Sequence, residues 1–214
     1  TINNGIDLAN EGGMVWFKSR TTGGSSYNNH SVVDTARVDS SGRGKSVYPN
    51  LDQAQYSPEG TANVVTSFNS NGYTTGTNAN NATNTQTLAS WTFRKSPGFF
   101  DVVTYTGTGS AQNISHSLGS VPGTIFIKGT SDAFDWAVYH RGVNGGTNPW
   151  DYRLRLNSNI TQQATDLFGD TAPTASVFTV GTGEETNNNG ETYVAYVFAG
   201  GESTAATARS VDFD

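Results

Sequence analysis

The sequence predicts an all-β fold, a two-sheet β-sandwich built from two duplicated halves. Three observations lead there. Short apolar runs recur between turn signals, and no stretch sustains a 3.6-residue apolar period, so long helices are not expected. Charged residues make up only 14% of the chain, against roughly a quarter in an average domain, which leaves Gly, Thr, Asn and Ser to fill long polar loops. The third observation is a copy: Pro122 to Lys128, PGTIFIK, repeats Gly12 to Lys18, GGMVWFK, at a displacement of 110 (128 − 18), which also carries Leu8 onto Leu118.

A second match, Tyr73 to Thr77 with Phe178 to Thr182, lies at a displacement of 105 (181 − 76), and the same shift carries Trp91 onto Tyr196 and Phe93 onto Phe198. Between these anchors, Ala36 to Val38 resembles His140 to Val143, and Tyr48-Pro49-Asn50 resembles Arg155-Leu156-Asn157. One supersecondary unit of roughly 100 residues is thus written twice, a longer period than solenoid arrays use. Leu88 to Phe93 and Tyr193 to Phe198 read as strands apolar on both faces, which need cover from both sides. This argues for one domain over 1–200, with repeats 1–98 and 99–200, and for 201–214 as a linker or tail strand.

In chain order, Gly13 to Lys18 is a strand and Arg20 to His30 a polar loop. Val32 to Val38 and Ser46 to Tyr48 are short strands separated by SSGRG, and Gln53 to Asn63 is the least strand-like interval. Val64 to Thr75 carries the hairpin signal Asn71-Gly72, and Asn78 to Thr85 is a low-complexity loop whose counterpart is Gly183 to Gly190. Phe99 to Thr106, FFDVVTYT, is a strong strand without a counterpart in the first half. Its place there is expected to be taken by the C-terminal SVDFD, by another subunit, or by residues outside this sequence. Pro122 to Lys128, Trp136 to His140, Tyr152 to Leu156, Val177 to Val180 and Tyr193 to Phe198 complete the strands, with turns at Asn144-Gly145 and Asn189-Gly190.

A net charge of −6 and a pI near 4.9 give no electrostatic footprint for nucleic acid or an anionic membrane, so neither partner is expected. Cysteine is absent, which removes disulfides, thiolate metal sites and cysteine nucleophiles. Gly42-Arg43-Gly44-Lys45-Ser46 imitates the end of a phosphate-binding loop, but Asp39 stands where the motif needs its first glycine. His30, His116 and His140 show no metal-ligand spacing, and no GxSxG elbow is present. Glu184, Glu185 and Glu191 flank the second Asn-rich loop and raise the question of sugar hydrolysis. Their counterparts are Ala79, Asn80 and Gln86, and they read as solvated loop charges. No DxDxDG calcium loop occurs, and neither a metal nor a cofactor is expected.

The order GMVWFKSR, DTARV, YPNL, TSFNSNGYTTGT, TLASWTFRKSPGFFDVVTYTGTG, HSLGSVPGTIFIK, WAVYHRG, FTVGT and TYVAYVFAG resembles repeat modules of large virion proteins in marine tailed phages, tail-fibre or structural proteins of unknown function. The final SVDFD is similar to the opening strand of laminin-G-like lectin modules. The resemblance implies a lectin-like or jelly-roll sandwich located on a virion and therefore extracellular. It also implies association with other virion or fibre subunits as a homo-oligomer, and it supplies no catalytic residues. The expectation is a non-enzymatic module for structural spacing and adhesion to host-surface glycan. A virion-associated polysaccharide-cleaving enzyme and a purely architectural decoration subunit are the alternatives.

The duplication also filters candidate ligand residues, because features shared by both halves serve the fold while features present once are freer to serve recognition. Trp150, in GGTNPWDYR, has no aromatic counterpart; at a displacement of 107 (157 − 50) it falls opposite Arg43. An indole on such a loop can stack on the apolar face of a sugar, with Asn148, Asp151 and Arg153 in reach of hydroxyl groups. Strand alternation offers another reading, in which Trp150 extends a core stripe with Tyr152, Leu154 and Leu156. Asn80 and Asn188 mark the secondary candidate loops.

Overall fold

The computed structural model describes residues 1–20, 29–56, 64–77 and 87–201. They form antiparallel sheets with almost no helix, an all-β sandwich architecture. The chain divides into two compact units, Thr1–Arg94 and Lys95–Asp214. The first contains β1 (Ile2–Asn3), β2 (Gly13–Ser19), β3 (Ser31–Val38), β4 (Gly44–Val47), β5 (Val65–Asn69), β6 (Gly72–Thr75) and β7 (Leu88–Arg94). The second contains β8 (Phe100–Thr106), β9 (Gln112–Ser115), β10 (Pro122–Gly129), β11 (Ala137–His140), β12 (Tyr152–Arg155), β13 (Gln163–Ala164), β14 (Val177–Val180), a single helical turn α1 (Glu184–Asn187) and β15 (Thr192–Ala199).

Each unit has a larger and a smaller sheet. In the first these are β4-β3-β2-β7 and β1-β6-β5; in the second, β13-β12-β11-β10-β15-β8 and β14-β9. The order β4-β3-β2-β7 recurs as β12-β11-β10-β15, down to the residue. Met14 faces Phe93 and Ser19 faces Leu88 across β2 and β7, and Thr124 faces Phe198 and Gly129 faces Tyr193 across β10 and β15. Val32 opposite Val47 likewise answers Val138 opposite Leu154. Backbones approach too closely for a side chain where both central strands begin. A Cβ on Gly13 would lie 2.2 Å from the Phe93 carbonyl oxygen, and one on Gly123 would lie 2.6 Å from the Gly200 Cα.

The cores follow from the pleat. Val15 and Phe17 of β2 point the same way and pack with Leu8, Val33, Val64, Val65 and Tyr73, the Phe17 and Tyr73 rings meeting edge-on at 5.3 Å. In the second unit Ile125 and Ile127 pack with Leu118, Tyr139, Phe168, Phe178, Tyr193 and Val197. Trp16 and Phe126, on the other face of these strands, are half-buried. β15 is buried on both faces, and its second face forms an aromatic row with Phe126–Phe198 at 5.5 Å and Trp136–Tyr196 at 6.2 Å. β7 is not apolar on both faces as expected: Trp91 is 51% exposed and Ser90 is exposed as well.

Local corrections have simple causes. The β5–β6 hairpin turns on Ser70-Asn71, one residue before the expected pair, because Gly72 already pairs with Asn69 and β1 lies against it. A Cβ on Gly72 would meet the Ile2 carbonyl oxygen at 2.0 Å. The loop expected at Gly183 to Gly190 holds α1, in which Asn187 is fully buried: its Oδ1 accepts from the Thr108 amide and the Gln112 side chain, and its Nδ2 donates to the Ser110 and Gly181 carbonyls. The Asn78 to Thr85 loop, most of Gln53 to Asn63, and the SVDFD terminus lie outside the described residues.

Two stability predictions follow from this packing. Phe17→Ala should cost about 3–5 kcal/mol in urea unfolding, and Trp16→Ala clearly less, since only the first ring is enclosed. Burial holds His30 and His116 below the ordinary histidine value of 6.5, with the Lys18 charge adding to the effect at His30. The Trp16 indole donates to His30 Nδ1 at 2.9 Å and the Leu118 amide to His116 Nδ1 at 3.2 Å, so both acceptors must be unprotonated. The unfolded chain therefore binds more protons than the folded one as pH falls through 6.5. Stability is fully present above that pH and should decline below it, visible as a falling urea midpoint between about pH 7.5 and 5.

Candidate functional site

The candidate site grows from the connection between β11 and β12. That connection is two successive 3-10 turns, Val143–Gly146 and Pro149–Asp151. Val143 is buried and anchors the first; Asn144 (φ 53°) and Gly145 (φ 63°) then reverse the chain in left-handed conformation. The Asn144 side chain donates to the Thr147 carbonyl at 2.8 Å, and its amide donates to the Gln162 side chain at 2.9 Å. Asn148 is again left-handed (φ 45°), a conformation asparagine tolerates better than most residues. Pro149 follows, buried, with its ring presetting the first residue of the second turn. The Asp151 amide closes that turn on the Asn148 carbonyl at 3.0 Å.

A second segment supplies the facing wall. The Thr165 amide donates to the Asp151 carbonyl at 2.9 Å, Leu167 and Phe168 insert into the core, and Gly169 and Asp170 (φ 47°) turn the chain back. Asp166 is fixed by the Thr182 hydroxyl, which donates to its Oδ2 at 2.9 Å. The two walls bound an open cavity of about 530 Å³ lined by Asn148, Trp150, Asp151, Ala164, Thr165, Asp166 and Asp170. Two of the three non-glycine residues with positive φ among those described, Asn148 and Asp170, line it. Local strain of this kind gathers at binding sites.

Three of the four residues singled out by sequence line this cavity. Trp150 is half-buried: it packs against the core cluster and also lines the cavity. It stands in a 3-10 turn, so the strand alternation that grouped it with Tyr152 and Leu154 does not reach it. Asn148 and Asp151 flank it. Arg153 points elsewhere: its guanidinium is ion-paired with Glu185 and donates to Gln163 at 3.1 Å. Arg155 joins the same carboxylate at 2.5 Å and reaches Asp135 at 2.7 Å. Glu185 is therefore no solvated loop charge, because α1 brings it between two arginines, and its side chain is only 16% exposed.

Sequence reasoning missed Thr165, Asp166 and Asp170. The DLFGD run containing the two aspartates carried a readable turn signal at Gly169-Asp170. The hydrogen bond that brings it to Asp151 is a long-range one that no local pattern records. Among the described residues no group of three or more His, Asp or Glu side chains is placed to hold a metal ion. The histidine Nδ1 atoms accept from the Trp16 indole and from the Leu118 and Gly142 amides. Asp39 accepts from both the amide and the Nε of Arg43, which makes the GRGKS stretch a closed turn rather than a phosphate cradle.

A family described as a domain of unknown function, DUF7483, matches residues 4–206. The chain belongs to this family. The DUF7483 match takes in every lining residue of the cavity and every strand except β1. No curated protein and no solved structure matches the chain. No described helix of this DUF7483 chain is long and apolar enough to cross a membrane.

Removing one member of the arginine–carboxylate group should reveal its weight. Glu185→Gln leaves two guanidinium groups facing one another with little solvent, and should destabilise the chain by about 2 kcal/mol. Arg153→Ala should cost less, since Arg155 keeps the carboxylate company. Urea unfolding of both variants checks the order.

Proposed function

We propose that this chain is a non-enzymatic adhesion module that binds a host-surface glycan in the Trp150 cavity, within a virion appendage of the tail-fibre kind. The carrying observation is the indole. It is half-buried, held by a turn with a proline at its first position, and placed in an open cavity whose other contributors are mainly hydrogen-bonding groups. An aromatic plane offers the apolar face of a pyranose a rigid partner at low entropic cost, and carboxylates and amides accept and donate to ring hydroxyls. Open placement suits a sugar at the end or on the side of a polymer. The virion setting is supported by the ordered resemblance to phage tail-fibre and structural modules. Assembly with other fibre subunits, as a homo-oligomer, goes with that setting.

A second reading has one observation in its favour: Asp151, Asp166 and Asp170 line the same cavity, and glycoside hydrolysis uses two facing carboxylates. Incubation with host polysaccharide and assay for new reducing ends separates the two. Adhesion predicts none, and a steady release that disappears in Asp151→Asn or Asp166→Asn would replace adhesion by cleavage.

The principal test is binding. On a glycan array and in adsorption to host cells, the intact chain should bind, and Trp150→Ala should lose about tenfold or more in affinity, the worth of one stacked ring at roughly 1.4 kcal/mol. Arg153→Ala should leave binding within about twofold, because its guanidinium is held by Glu185 and Gln163 away from the lining. Absence of binding to any glycan would leave only a spacer role, and equal binding by Trp150→Ala with an intact fold would remove the glycan from this cavity.

A further inference from the structure

We propose that the Trp150 cavity selects an amino sugar whose nitrogen is unsubstituted and protonated, in preference to the N-acetylated form of that sugar and to acidic sugars. The inference rests on the reading that this cavity takes a glycan, and it names the chemical class of that glycan. The lining joins one aromatic plane to three carboxylates, Asp151, Asp166 and Asp170, and no lysine, arginine or histidine is among the residues that bound it. Arg153, two residues beyond Asp151, is held by Glu185 and Gln163 and leaves that charge unbalanced. Carboxylates facing one recess repel an anionic sugar and favour a cation there.

The partners of these carboxylates separate a structural role from recognition. A carboxylate that builds a turn is occupied by nearby donors, as Asp7 is by Asn10 and Asp39 by Ser41 and Arg43. Asp151 and Asp170 serve their turns through the backbone: the Asp151 amide and carbonyl are both bonded, and Asp170 supplies a left-handed residue. Among the described residues their side chains accept no hydrogen bond and meet no cation. Asp166 accepts one bond, from the Thr182 hydroxyl to Oδ2 at 2.9 Å, which fixes the group and leaves Oδ1 to face a ligand. An ammonium group has three N–H donors and no acceptor, so it matches acceptor-only oxygens completely. The indole adds to the same preference, because the face of a tryptophan attracts a cation. N-acetylation removes the charge and introduces a carbonyl acceptor, and a uronate brings a like charge. Hydroxyl groups donate to the same oxygens as neutral partners, so neutral sugars bind, but more weakly.

The test measures binding of the full chain, at about pH 6.5 where an alkyl amine keeps its proton, to three oligosaccharide probes of equal length. These are β1,4-linked glucosamine, the same oligomer N-acetylated, and an oligomer of a hexuronic acid. The glucosamine probe should bind about tenfold or more tightly than the N-acetylated one, with the uronate weakest. Raising the salt from about 0.05 to about 0.5 M should weaken the first and spare the second. Asp151→Asn and Asp170→Asn should each lower glucosamine affinity by about threefold or more and leave the N-acetylated probe within about twofold. Glu11→Gln, which removes the same charge from the other unit, should change neither. Equal or tighter binding of the N-acetylated or uronate probe, lost in Trp150→Ala, overturns the preference and keeps the cavity as a glycan site. A glucosamine preference that survives in both aspartate variants belongs to the net charge of −6 and overturns it too. So does binding abolished by EDTA, since the carboxylates would then hold a divalent ion rather than an amine. Silence of all three probes likewise overturns the preference, and only silence across the whole glycan array removes the glycan reading with it.

Discussion

The ladder between each central strand and its long neighbour is the constraint on which the rest of either unit depends. In β2–β7 the pairing is continuous over the strand, in β10–β15 it is continuous from Thr124 to Gly129 after a register shift between Pro122 and Thr124, and the period of the pleat is two residues. A slip of one residue would send Val15 and Phe17, or Ile125 and Ile127, to the wrong face and empty the core. The glycines at Gly13 and Gly123 help to hold the register, since only a residue without a side chain lets the partner backbone lie so close. With those strands fixed, β3 with β4 and β11 with β12 extend the sheet on one side. The small sheets close over the inward face.

Much of this was legible because hydrophobic burial and register are written locally. The copied segments located β2 and β10, β7 and β15, and the Tyr48–Arg155 match, at a displacement of 107 (155 − 48), begins one residue beyond the equivalent pairs Val32–Val47 and Val138–Leu154. What could not be read was set by tertiary context. Trp91 reads like a core residue but stands on the last described strand of its sheet, and Glu185 reads like a solvated charge but is turned inward by one helical turn. Asn187, in a run of asparagines that looks like low complexity, is fully buried and satisfied on both ends of its amide. Polar residues gain their role from distant partners, and composition says nothing about those.

The candidate site shows the same division. Trp150, Asn148 and Asp151 were found because they stand once, on a Gly/Pro-rich connection, where the fold makes no demand for an aromatic. Arg153 was misplaced by sequence proximity: it lies on β12, and strand geometry together with α1 directs its charge into an ion-pair group. The opposing wall was invisible because the short β12–β13 pairing and the backbone hydrogen bond from Thr165 to Asp151 join segments whose sequences share no pattern. A site assembled from two connections is written half in each.

The way those two connections are fastened separates frame from contact. Their anchors, Val143, Pro149, Leu167 and Phe168, are buried, while Asn148, Ala164, Asp166 and Asp170 stand at the surface. Exchange of a surface side chain leaves the anchors and the turn hydrogen bonds in place, so the shape of the recess persists while its chemistry changes. Ala164 and Asp166 are the positions where such an exchange meets no left-handed backbone, whereas Asn148 and Asp170, both at positive φ, tie the rim to the turns that shape it.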